Sequence, residues 1–141
     1  MPIRIVHTAD NHIGMPFRQH DDETRIRLIE ERFTALERLI CEANENYADF
    51  FVISGDLFDS SRVKNSSIER TVDVLRHFTG NSVLVLPGNH DFFSGEDNEV
   101  WKRFRKASSE FSNIELLVTT ATVIFDVDGE TVQFFPCPCP S

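Results

Sequence analysis

No apolar run in this chain reaches the roughly 18 residues that a membrane-spanning helix needs. The opening residues, Met1-Pro2-Ile3-Arg4, lack a signal-peptide pattern, so a cytoplasmic protein with no membrane partner is expected. Basic residues are in the minority: 14 Lys and Arg stand against 23 Asp and Glu, for a formal charge of −9. That balance argues against a chain whose main business is coating nucleic acid through a basic face. It leaves room for an enzyme acting on phosphodiesters, because bound dications offset negative charge where the substrate sits. Cysteine is scarce. Cys41, Cys137 and Cys139 make an odd set, which fits free thiols in a reducing compartment better than a disulfide framework. A zinc site from Cys137, Cys139, Cys41 and a histidine is the alternative, and a lone Cys-x-Cys supports it weakly. Repeats, low-complexity tracts and interdomain linkers are missing too, so the 141 residues read as one domain large enough for a real core.

What the chain does have is a recurring arrangement: a short apolar run followed at once by a polar cluster. Ile3-Arg4-Ile5-Val6 leads into Asp10-Asn11-His12, Phe50-Phe51-Val52-Ile53 into Gly55-Asp56-Leu57-Phe58-Asp59, and Val83-Leu84-Val85-Leu86 into Gly88-Asn89-His90-Asp91. Apolar, β-branched runs of this length read as buried strands of a parallel sheet. Between them lie helical patterns. The first spans Asp22 to Glu45, with Ile26, Ile29, Phe33, Leu36, Ile40 and Ala43 on one face. The second spans Ser67 to Phe78, with Ser66 or Ser67 as N-cap and Gly80 as terminator. The third spans Glu96 to Phe111, with Val100, Trp101, Phe104, Ala107 and Phe111 inward. Alternating strands and helices predict an α/β fold of βαβ units with right-handed crossovers. After Asn113 the pattern changes to short strands at 114–118, 122–127 and 131–135, with Asp128-Gly129 as a hairpin signal. The run Lys102-Arg103-Phe104-Arg105-Lys106 reads most simply as a solvated helix face, with contact to a phosphate backbone as the lesser alternative.

In open α/β sheets, residues just past the carboxyl ends of neighbouring strands converge in one crevice. Asp10 and His12 are two apart, so in an extended segment both side chains point the same way and can grip one divalent ion. Gly55 permits a tight turn and close backbone approach beside Asp56, and Asp59 follows one loop turn later. Each cluster alone is most simply a polar turn. Three in succession, all with hard oxygen or nitrogen donors, predict a metal site.

At these residues the chain resembles the calcineurin-like metallophosphoesterases, which carry Asp-x-His, Gly-Asp-x-x-Asp and Gly-Asn-His-Asp or Glu in this order. The wording His7-Thr8-Ala9-Asp10-Asn11-His12-Ile13-Gly14 and Gly55-Asp56-Leu57-Phe58-Asp59 resembles the SbcD-type DNA-repair nuclease branch, with Asn11 and Ile13 as departures. The resemblance implies the front half of an α/β/β/α sandwich. It implies that Asp10 and His12 bind a first metal, Asp56 bridges two, and Asn89 binds the second. Two dications ~4 Å apart lower the pKa of a shared water and clamp phosphoryl oxygens during in-line attack. His90 would be catalytic, stabilising charge on the scissile phosphate or protonating the leaving oxygen. Asp59 would be its partner, since a nearby carboxylate favours the charged imidazole. The mixed donor set suits manganese first, with iron or zinc as alternatives.

The family supplies two further blocks, a lone His and a Gly-His-x-His, and no histidine follows His90 here. The second metal would then have only Asp56 and Asn89. His7 is expected to be packed or hydrogen-bonded, His20 solvated and His77 part of a helix, none of them a replacement ligand. The resemblance therefore implies a single domain over 1–141 that is incomplete at its C-terminus, binding at most one metal tightly and turning over slowly. The implied reaction is phosphodiester hydrolysis by a DNA exonuclease of SbcD type, with DNA as substrate and an SbcC-like ATPase as partner; a homodimer stays open. The alternatives are a small-molecule phosphodiesterase or protein phosphatase, and an inactive domain acting through protein contacts.

Overall fold

The strands β1 (Ile5–Thr8), β2 (Phe50–Ser54), β3 (Ser82–Leu86) and β4 (Ile114–Leu116) pair in chain order as one parallel sheet in the computed structural model, which describes residues 2–95 and 98–139. Ile5 lies opposite Phe50, Phe50 opposite Ser82, and Val83 opposite Ile114. When strand order follows chain order, right-handed crossovers all fall on one face. The crossovers α1 (Asp22–Glu45), α2 (Asn65–Leu75) and α3 (Glu99–Ser108) pack side by side, α1 on α2 and α2 on α3.

Strand alternation divides the core between the two faces. Phe51, Ile53, Val83 and Val85 join Phe33, Leu36, Ile40, Ile68, Leu75, Trp101 and Phe104 in the core beneath the helices. Phe50 faces the other way and is covered by a hairpin of β5 (Val123–Val127) and β6 (Glu130–Phe134), its ring 5.1 Å from that of Phe125 and 4.9 Å from that of Phe134. The hairpin turns through Asp128 (φ 52°) and Gly129 (φ 83°), both in the left-handed region that the expected Asp-Gly turn requires. The α/β class thus stands, with three layers: helices, parallel sheet, hairpin. A second helical layer does not occur among the described residues, and Ile124 on the hairpin is 61% exposed.

Several boundaries differ from expectation for physical reasons. Helix α1 has the expected ends, yet Ile26 is 62% exposed. Its 24 residues make a rod of about 36 Å, while a five-residue strand spans only about 17 Å, so the first turns overhang the sheet. Helix α2 starts at Asn65 after Lys64, which makes no side-chain cap, rather than behind Ser66 or Ser67. It also stops short of Phe78. The α1 side chain of Asn44 donates to the His77 carbonyl (2.9 Å) and accepts from the Thr79 amide (2.9 Å), taking over groups that would continue the helix. Gly80 serves packing rather than termination: a Cβ there would lie 2.2 Å from the Ala48 carbonyl oxygen. Of the expected third helix, Glu96 and Asp97 lie outside the described residues, and α3 starts behind an Asn98 side chain that accepts from the Trp101 amide (3.2 Å). The three cysteines are free thiols. Among the described residues no helix is long and apolar enough to cross a membrane.

Candidate metal centre

The loops leaving β1 and β2 stay zipped together past the strand ends. Asp10 and His12 donate their amides to the carbonyls of Gly55 (3.1 Å) and Asp56 (3.0 Å), Ile13 donates to Leu57 (2.9 Å), and Asp59 returns a bond to Ile13 (2.9 Å). This segment is not the extended one that spacing suggested. Asp10 (φ 55°), His12 (φ 47°) and Asp56 (φ 54°) are all left-handed. The Asp10–His12 pair still closes, Oδ1 to Nε2 at 4.0 Å, because the coiled backbone turns both side chains back toward Asp56 rather than because they alternate along a strand.

The third loop is pressed against the second. A Cβ on Gly88 would lie 2.3 Å from Asp56 Oδ1 and 2.5 Å from its amide, and one on Gly55 would lie 3.2 Å from Gly88 Cα. Only paired glycines allow that approach. The His90 amide then donates to Asp56 Oδ1 (2.9 Å). Asp91, fully buried, binds the pieces: it accepts from Gly88 N (2.7 Å) and Phe58 N (3.0 Å), and its carbonyl accepts from the Trp101 indole. Burial pushes the Asp91 carboxyl above its ordinary range, against the pull of those two amides. Asn89 sits between Gly88 and His90, both tied down, at the same edge of the sheet.

Two overlapping clusters result. Asp10, His12 and Asp56 each present a donor within 4.8 Å of the others, and so do His12, Asp59 and His90. Metal–ligand bonds of about 2.0–2.5 Å put donors on opposite sides of one ion about 4–5 Å apart, so both clusters match an ion's coordination shell. The His12 and His90 rings meet edge to face, centroids 5.0 Å apart. Asp59 Oδ1 is 3.3 Å from His12 Nδ1 and so neighbours both imidazoles. A second observation favours a ligand: Asn11 Oδ1 is buried without a hydrogen-bond partner, and His12 Nδ1 has only the Asp59 carboxylate within reach. Buried polar atoms of that kind are rare unless something else satisfies them. The shelf is open on one side, with Asp10 74% exposed at its side chain and Asp56 buried behind it.

The remaining histidines lie elsewhere. His7 Nε2 is hydrogen-bonded to Ser54 Oγ, His77 Nδ1 meets the Asp73 carbonyl (2.7 Å), and His20 is exposed near Phe17. A concavity of about 420 Å³ lined by Arg4, Tyr47, Asp49 and Glu130, among others, lies at the amino ends of the strands, away from this chemistry. Sequence reasoning passed over Arg32, whose Nη1 reaches the Asn11 carbonyl at 3.4 Å. It counted Trp101 only as a core residue. Neither has a local signal, since each acts on a loop outside its own helix.

Comparison with known proteins places the chain in a family. The profile of the calcineurin-like phosphoesterase family matches residues 3–137. An uncharacterized metallophosphoesterase of Bacillus subtilis, YhaO, is 32% identical over 102 residues, covering 67% of this chain and 24% of its own. The SbcD subunit of the nuclease SbcCD from Staphylococcus epidermidis is 28% identical over 141 residues, covering 96% of this chain and 34% of its own. The DNA double-strand break repair protein Mre11 of Methanosarcina acetivorans is 33% identical over 101 residues, covering 70% and 15%. The chain thus spans about a third or less of the length of these relatives.

Proposed function

This chain belongs to the calcineurin-like phosphoesterase family, and on that footing we propose that its site hydrolyses phosphodiester bonds, with DNA as the substrate. The observation that carries the reading is the meeting of Asp10, His12 and Asp56 donors within 4.8 Å, with the His90 imidazole beside them. Asp10 and His12 would hold one divalent cation, Asp56 would serve two, and Asn89 would hold the second. Manganese suits this set first, with iron or zinc as alternatives. When bound, such ions supply Lewis acidity toward the phosphoryl oxygens and an activated water.

The chain's own residues do the rest. His90, whose amide is tied to Asp56, holds a proton at its imidazole for the leaving oxygen. Asp59 orients the His12 ring from its Nδ1 side and stands within the same cluster as His90. Asp91 keeps the second and third loops in mutual register. The relatives' names, a nuclease subunit and a double-strand break repair protein, support DNA as substrate and an assembly with a partner protein, for which an SbcC-like ATPase is our choice.

Incubation of excess chain with Mn²⁺ and single-stranded DNA, bis-p-nitrophenyl phosphate or a phosphoserine peptide tests this under single-turnover conditions. Metal-dependent cleavage of DNA that Asp56→Asn and His90→Ala abolish supports the reading. Cleavage of the small diester or the peptide alone would replace DNA with another phosphoester. Tight Mn²⁺ binding with no cleavage at all would leave a metal-binding interaction domain in its place.

A further inference from the structure

Left-handed backbone is disfavoured for residues with a Cβ and persists only where neighbours hold it. The connection between β1 and α1 contains three such residues, Asp10, His12 and Phe17 (φ 49°). On the sheet side, the amides of Asp10 and His12 are held by the β2 loop. On the helix side the support comes from Arg32 of α1. Its Nη1 donates to the Asn11 carbonyl (3.4 Å), its Nη2 lies 3.9 Å from Met15 Sδ, and its guanidinium carbon sits 5.4 Å from the Phe17 ring centroid. Asn11 is the residue between the two ligands, so this one side chain touches the loop at its ligand end, its middle and its far end.

We infer that Arg32 is a positioning residue for the metal centre, holding the Asn11–Phe17 loop and through it the Asp10–His12 pair. The inference rests on the metal-dependent reading above. Its sign is informative. A fixed positive charge beside a dication site repels the ion, so if charge alone mattered, removing it would tighten metal binding. If the planar fork matters, removal loosens the ligands and weakens binding. Lysine keeps the charge but is a compact point donor that cannot engage carbonyl, thioether and ring together.

The test is Mn²⁺ binding by the full chain, followed through loss of the free-ion electron paramagnetic resonance signal, for wild type, Arg32→Lys, Arg32→Met and Arg32→Ala. Amide spectra of the metal-free proteins report the loop, and thermal unfolding reports the fold. Affinity is expected to fall about tenfold or more in each variant, the scale seen when groups supporting a metal ligand are removed. Amides of residues 11–17 should shift or broaden while those of β3 and α3 stay in place. Unchanged or tighter binding in Arg32→Met or Arg32→Ala overturns the inference, as does an Arg32→Lys variant indistinguishable from wild type. Arg32→Met keeps the aliphatic stem and carries the comparison if Arg32→Ala does not fold. A wild type that binds no Mn²⁺ sinks the metal reading itself, a failure distinct from equal binding in all four proteins.

Discussion

Gly88 has space for a hydrogen and nothing more. Gly88→Ala would drive a methyl group to 2.3 Å from Asp56 Oδ1 and 2.5 Å from its amide, forcing the second and third loops apart. Overpacking of this kind costs about 1–3 kcal/mol. We expect that loss in urea unfolding, accompanied by weaker Mn²⁺ binding in calorimetry, since Asp56 is the group displaced. Asp91→Ala acts by removal instead. It strands the buried amide of Phe58, at about 1–3 kcal/mol, and the partly buried amide of Gly88 at less. Trp101 fluorescence should register the change, because its indole bonds the Asp91 carbonyl. At this scale the sequence was legible in residue type and misleading in geometry. Asp10 and His12 were readable as candidate donors from their neighbours, but their left-handed backbone depends on bonds to Gly55 and Asp56 more than forty residues away. Arg32 stood beside Phe33 as one more charged residue on a helix, with no local mark of the carbonyl it reaches.

Elements were read more securely than contacts, because periodicity is local. The 3.6-residue stripe of α1 gave both its ends, whereas α2 is cut short by Asn44, a residue of another helix, and no pattern within α2 could announce that. The two helices are joined by Arg70, which forms a double hydrogen bond with Glu30 (2.7 and 2.8 Å) and lies over the Phe33 ring at 4.1 Å. The Arg70 hydrogen bonds hold the Glu30 carboxyl below its ordinary value of 4.5. The folded state therefore binds fewer protons than the unfolded chain near that pH. The pair's contribution is present above 4.5 and disappears as pH falls through the depressed value. Both side chains are half exposed, so the effect stays under about 1 kcal/mol and shrinks in high salt. Urea midpoints of wild type and Glu30→Gln should differ at neutral pH and converge as acidification protonates Glu30 in the folded state. Phe50 anchors the hairpin layer through Phe125 and Phe134. Phe50→Ala should cost about 3–5 kcal/mol, with amide exchange in β5 and β6 rising ahead of that in β3.

For the whole molecule, the proposed metal binding would be coupled to the fold. The clustered donors belong to separate loops that only the folded sheet brings together, so an ion binding them binds the native state alone. At a free Mn²⁺ concentration of about 100 times its dissociation constant, stability should rise by about 2.7 kcal/mol. Calorimetric melting should show a higher Tm with Mn²⁺, reversed by a chelator and missing in Asp56→Asn.

The side-by-side strand order has a kinetic consequence. Each new strand is added at the outer edge of those already present, and none has to wedge between two earlier neighbours. A ribosome releasing this chain would expose the pincer of Asp10 and His12 first, then Asp56, and last the turn that carries His90. Folding can keep pace with synthesis in that order. The acid-rich part of the cluster thereby waits, uncovered, until the loop carrying Asn89 and His90 emerges beside it.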